Sequence, residues 1–193
     1  MGAVCIAAAT VGTASAATLQ VDTDGVLVGA TGLNVNGTIY DVAFVDGSCA
    51  SIFDGCDEPS DFDFTNASDA VAVGQALFDQ VFVGIFDTLS GVTFGCGGFQ
   101  CVTRIPTGFV PTGGAGAEGA IVINNTVIAD PSVNFGGINR LFNYANSDTS
   151  NYALFTETGQ EVSPIPLPAG FPLMAVGMGA LMVLRQRKKS KSV

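Results

Sequence analysis

The chain has 193 residues, a net charge of −10, and neither histidine nor tryptophan. The missing histidine removes the commonest general base and the commonest transition-metal ligand. All seventeen acidic residues lie between Asp22 and Glu161, where only Arg104 and Arg140 are basic, so that stretch alone carries −15. Such a surface repels phosphate backbones and argues against nucleic-acid binding, while favouring solubility and divalent cations.

Residues 1–16 read as a signal peptide. Ala3 to Val11 is small and apolar, and Ala14-Ser15-Ala16 is an A-x-A cleavage site with cutting expected before Ala17. The usual positive n-region is missing from this stretch. The Sec translocon and signal peptidase are the partners it implies. Cys5 falls inside the segment and leaves with it.

Residues 17–163 read as one exported, β-rich passenger domain, long enough to bury a core. Thr18–Val21 and Val26–Val28 flank the turn signal Asp24-Gly25. Leu33–Val35 and Thr38–Val45 flank Asn36-Gly37, a second hairpin signal. Asp61–Phe64 alternates and predicts a short strand. Asn66 or Ser68 offers an N-cap, and apolar residues from Ala70 to Val81 recur at helical spacing, predicting a helix over about 67–81. Val92–Phe94 and Cys101–Ile105 predict a disulfide-bridged hairpin that Pro106 stops, followed by a loop over Thr107–Gly119. Ala120–Ile123 and Thr126–Ala129 predict a hairpin around Asn124-Asn125. Tyr152–Thr156 predicts a final strand, with Thr158–Ser163 as linker. The expected class is therefore mainly β, a β-rich α+β fold of antiparallel hairpins with one packed helix.

With Cys5 gone, Cys49, Cys56, Cys96 and Cys101 remain. An even number in an exported chain reads as disulfides, and of three possible pairings the short spacings favour Cys49–Cys56 and Cys96–Cys101. The rival, a four-cysteine zinc site, normally uses tighter spacing than that of the first pair. Five carboxylates, Asp54, Asp57, Glu58, Asp61 and Asp63, crowd ten residues beside the first cysteine loop and offer a calcium site; the alternative is a solvated acidic loop. Asp22-Thr23-Asp24-Gly25 opens like an EF-hand loop, but its twelfth position is Leu33 and not Glu. Phe82, Phe86, Phe94, Phe99 and Phe109 read as core packing before they read as a binding face. A serine nucleophile without histidine would need a lysine base, and residues 17–163 contain no lysine. No catalytic residue and no cofactor other than calcium is expected.

The C-terminus has three parts in fixed order. Ile165-Pro166-Leu167-Pro168-Ala169 opens it, an uncharged run continues to Leu184, and Arg185, Arg187, Lys188, Lys189 and Lys191 close it. From Pro168 the apolar run is long enough, at roughly 1.5 Å per residue, for a short transmembrane helix of about 25 Å. Positive charge immediately after the span marks the cytoplasmic side, which places residues 17–163 outside. This region, residues 164–193, resembles the VPLPA-type variant of the PEP-CTERM sorting signal, with Ile165 in place of the usual valine. The stretches YDVAFVDGSC and ALFDQVFVG also resemble small passengers that carry such tails.

The resemblance implies a bacterial exported protein, tethered at the inner membrane and then at the cell surface or outside the cell. It implies recognition by an exosortase-type transpeptidase and a link with extracellular polysaccharide or biofilm. The function expected is that of a non-enzymatic surface or matrix protein; the alternative is a calcium-stabilised adhesion or glycan-contact module.

Overall fold

In the computed structural model, which describes residues 16–110, 116–126 and 132–160, the hairpin signals at the N-terminus are realised as read. Strand β1 (Thr18–Val21) turns at Gly25 into β2 (Leu27–Val35), and the Asp22 carboxylate accepts from the amides of Asp24 and Val26 at 2.9 Å each, an Asx turn. Strand β3 (Thr38–Val45) follows Asn36 and Gly37, whose consecutive positive φ values of 54° and 91° make the tight turn that suits a right-twisted hairpin.

Three further strands open the second half of the sheet or close it: β4 (Gln100–Val110), β5 (Gly116–Asn125) and β6 (Ser132–Asn139). The last, β7 (Ser150–Gln160), inserts between β3 and β4, so the seven-stranded order is β1-β2-β3-β7-β4-β5-β6. All pairings are antiparallel except β4 with β7, which is parallel and covers only Val102↔Ser150, Thr103↔Asn151 and Arg104↔Tyr152. Pro106 lies two residues beyond and has no amide to offer the ladder. The two strands part there.

The helix predicted over about 67–81 is α2 (Ala67–Gln80). Asn66 is its N-cap, accepting from the Asp69 amide at 2.9 Å. Ala70, Val73, Ala76 and Leu77 make its buried stripe. Gly74, a weak residue for a helix interior, has a packing reason: a Cβ there would sit 3.0 Å from methyls of both Val122 and Val133. The helix packs on β2 from one side and on β4, β5 and β6 from the other. In a flat sheet β2 and β6 would lie about 24 Å apart, so the sheet curls into a trough that α2 closes. Gln80 fastens the far end, accepting from the Asn34 amide and donating to the Asn34 carbonyl.

Between β3 and α2 the chain visits the opposite face. A short helix α1 (Cys49–Ile52) and a 3-10 turn (Pro59–Asp61) carry Phe53 and Phe62 against Tyr152, on the side away from α2. Phe64, two residues later, packs with Phe155 and Tyr40 on the α2 side. The chain passes from one face to the other where β7 and β4 part, and there the Asp63 carboxylate accepts from the Phe155 amide at 2.9 Å. A side chain thus supplies the acceptor that β4 would have supplied in a continuous sheet. Asp61–Phe64 is consequently not the strand its alternation predicts, because its two phenylalanines serve different faces.

Other boundaries are corrected too. Val92–Phe94 is not a strand: Ser90–Val92 is a 3-10 turn, and Thr93 makes only an isolated bridge to Leu27. Cys96–Cys101 therefore closes a loop leading into β4, not a hairpin. Strand β4 runs through Pro106, which sits at a bulge opposite β5, so residues 107–110 and 116–119 are strand where a loop was predicted. Strand β5 continues through Asn124 and Asn125, so the predicted turn there is displaced; residues 127–131 lie outside the described residues. Strand β7 takes in Thr158–Gln160, predicted as linker. The predicted signal peptide, but for Ala16, and the whole C-terminal tail, including the predicted transmembrane helix, also lie outside the described residues. Among the described residues no helix is long and apolar enough to cross a membrane.

Candidate functional site

Both predicted disulfides are present. Cys49 and Cys56 are bonded with Cα atoms 5.6 Å apart, and Cys96 and Cys101 with Cα atoms 5.4 Å apart. Two such bonds fit an oxidising environment, extracellular or periplasmic.

Three of the five carboxylates beside the first disulfide have separate partners. Asp61 accepts from the amides of Asp57 and Glu58 at 3.0 and 2.9 Å, capping its own turn. Asp57 pairs with Arg140 at 3.0 Å. Asp63 holds the Phe155 amide; burial raises its pKa above the ordinary carboxylate value, and that hydrogen bond works against the rise. Asp54 sits at a positive φ of 43° in the loop. Among the described residues, no three histidine, cysteine or acidic side chains come together as a metal-holding group.

What the face away from α2 does assemble is a ribbon of aromatic rings with cations on it. Phe62, Phe53, Tyr152, Tyr144 and Phe142 follow one another with ring centres 6.2, 5.7, 5.6 and 4.7 Å apart. Successive β7 residues point to opposite faces, so Tyr152 and Leu154 line this side while Ala153 and Phe155 line the other. Tyr144 comes from the segment after β6, which is stitched to the disulfide loop by Tyr144 N donating to Gly47 O at 2.9 Å and Ala50 N to Arg140 O at 3.0 Å.

Arg104 sits on this ribbon. It belongs to the last paired rung of β4 with β7, opposite Tyr152, and its guanidinium lies 3.9 Å above the centre of the Tyr144 ring. One of its Nη atoms donates to the Val102 carbonyl at 3.3 Å. Burial lowers its pKa, and Tyr144 and Tyr152 oppose that change; an arginine stays protonated regardless. Burial, then Tyr144, pushes the Tyr152 phenol well up, against Arg104. The other arginine, Arg140, lies over the Phe109 ring at 5.8 Å as well as pairing with Asp57. Both basic residues of the −15 stretch therefore stand on one face of the sheet.

The phenylalanine set singled out in the sequence divides. Phe82 and Phe86 are buried, while Phe94, Phe99 and Phe109 are exposed at 40, 78 and 37%. Neither Tyr144 nor Tyr152 has a spacing that marks it in the sequence; the signal the sequence does offer is a lone Arg104 in a strand. On the α2 face, a groove of about 380 Å³ is lined by Gln75, Phe78, Asp79, Phe82, Val83 and Asp87, with no cluster of catalytic groups.

Comparison of the chain with known protein families, with characterised proteins and with solved structures finds no match.

Proposed function

We propose that the chain is a non-enzymatic exported protein of the bacterial cell surface or extracellular matrix, sorted through its C-terminal signal and processed by an exosortase-type transpeptidase. The observation that carries this reading is the order at the C-terminus: Ile165–Ala169, an uncharged run, and five basic residues at the end. A signal-peptide pattern at the N-terminus and two disulfides between the two ends agree with it. Three features support a non-catalytic role. The chain contains no histidine, residues 17–163 contain no lysine, and beside the first disulfide Asp61 is engaged in a turn, Asp57 in an ion pair and Asp63 by a backbone amide.

The test is transfer of the tail. Ser163–Val193 fused behind a secreted reporter is expected to retain the reporter at the envelope of a host with the sorting enzyme and to be cut near Ala169. Release of the intact fusion into the medium of that host would sink the proposal. Intact mass of the native protein should in parallel report cleavage after Ala16 and four oxidised thiols.

A further inference from the structure

We propose that Arg104 and Tyr144 form a binding site for a single carboxylate group, at the point where β4 and β7 part. The site stands on the folded domain alone and goes beyond the sorting role of the tail.

The argument starts from charge. Seventeen carboxylates and two guanidiniums share residues 22–161, so an arginine there has every opportunity to find an acid. Arg140 does, in Asp57 at 3.0 Å. Arg104 does not: among the described residues its partners are the Tyr144 ring, the Val102 carbonyl and the two tyrosine phenols. A half-buried charge without a counter-ion is unfavourable unless something compensates it. The ring face, one carbonyl and the two tyrosine phenols do so in part.

The remaining geometry is that of a receptor. A guanidinium carries five N–H donors in a plane, and a ring stacked on one face leaves its edge as a fork matched to the two oxygens of a carboxylate. Buried side-chain atoms left without a hydrogen bond include Arg140 Nε but no nitrogen of Arg104, so the donors Arg104 has free meet solvent and not a sealed interior. Phe142, 48% exposed and with its ring 4.7 Å from that of Tyr144, extends the aromatic surface beyond the ring that carries the cation, for the body of a ligand. The charge of the ligand is bounded as well. One uncancelled cation in a stretch of −15 accepts one negative charge, and the surrounding field rejects polyanions.

The absence of tryptophan supplies the readout. Only Tyr40, Tyr144 and Tyr152 emit in the near ultraviolet, and two of the three flank Arg104. The full chain, purified in mild detergent, would be titrated at constant ionic strength with sodium acetate, sodium glucuronate and glucose, following tyrosine emission. A saturable change is expected with both carboxylates, at roughly millimolar half-saturation, and none with glucose. Tighter binding of glucuronate than acetate would identify a sugar acid as the preferred source of the carboxylate; equal binding would identify the carboxylate alone.

Arg104→Lys, which keeps the charge and loses the fork, should weaken binding by about tenfold or more. Arg104→Gln should abolish it. No saturable change with either carboxylate in the unaltered chain, an equal response to glucose, or unaltered half-saturation in Arg104→Lys would each overturn the site. Should neither variant fold, the arginine Nε–H resonances of the unaltered chain decide. Saturating movement of one of them with acetate supports the proposal, and no movement overturns it.

Discussion

On the face of the sheet that carries α2, Ala153 and Phe155 of β7 look into a core of Leu27, Leu33, Val73, Leu77 and Val81, all five fully buried. On the other face Tyr152 and Leu154 of the same strand meet Phe53, Tyr144 and a disulfide, with Arg104 and Arg140 among them. The first face is closed by a helix that contributes apolar area. The second is closed by irregular chain that a covalent bond, ring contacts and an ion pair fasten to it. The difference teaches where specificity resides. Apolar burial is non-directional, whereas stacked rings and a guanidinium impose geometry, and the second face sets a cation and aromatic rings together where a ligand could read them.

That comparison can be broken from either side. The largest effect is expected on the α2 face. Leu77→Ala leaves a cavity between helix and sheet and should cost about 3 kcal/mol in denaturant unfolding. A loss under 1 kcal/mol would mean that α2 is not the closing element of the core. On the other face, replacing Cys49 and Cys56 together by serine should cost about 2–3 kcal/mol, the loop-closure term for a short loop. The α2 face should keep its near-native circular dichroism. If that pair unfolded the whole domain, the two faces would not be separable in the way described.

The smallest effect concerns the crossing point. Burial raises the pKa of Asp63 and of Asp46 in the folded protein. A carboxyl whose folded pKa is raised contributes stability below its ordinary pKa and loses that contribution as pH rises through the raised value. Melting temperature should therefore increase modestly on acidification from pH 7 toward about pH 4.5, helped by relief of self-repulsion in the −15 stretch. Asp63→Asn keeps an oxygen for the Phe155 amide and removes the buried charge. It should raise the melting temperature slightly at pH 7 and flatten its pH dependence. A steeper dependence in that variant would show that Asp63 is charged at a net gain.

Legibility in the sequence followed the range of the interactions. Asn36-Gly37 and Asn66 act within a few residues, so the hairpin and the helix start could be read directly. Helical spacing from Ala70 onward marked the buried stripe because periodicity is a local property. Both cysteine pairs close short loops, and short spacing sufficed. Pro106 misled, because a proline stops a strand only where its amide is needed, and here it lies at a bulge. Asp61–Phe64 misled because alternation cannot distinguish two faces of one sheet from the two sides of a gap in it. The acidic cluster reads as one site because five carboxylates are close along the chain; in the fold Asp61 caps the turn at Pro59–Asp61, Asp57 pairs with Arg140 and Asp63 holds the Phe155 amide, partners that the spacing does not reveal.

The sequence by itself determined the charge asymmetry, the favoured cysteine pairing, the two N-terminal hairpin turns, the helix at Ala67–Gln80, and the order of motif, apolar run and basic cluster at the C-terminus. Each depends on composition or on residues near one another in the chain. The tertiary structure alone decided that β7 returns between β3 and β4 and that Pro106 leaves a gap beside it. It also decided that Asp63 completes the ladder there, and that Arg104, Tyr144 and Tyr152 come together. Those contacts join residues tens of positions apart, and a backbone ladder is set by which strands meet, which no local pattern encodes.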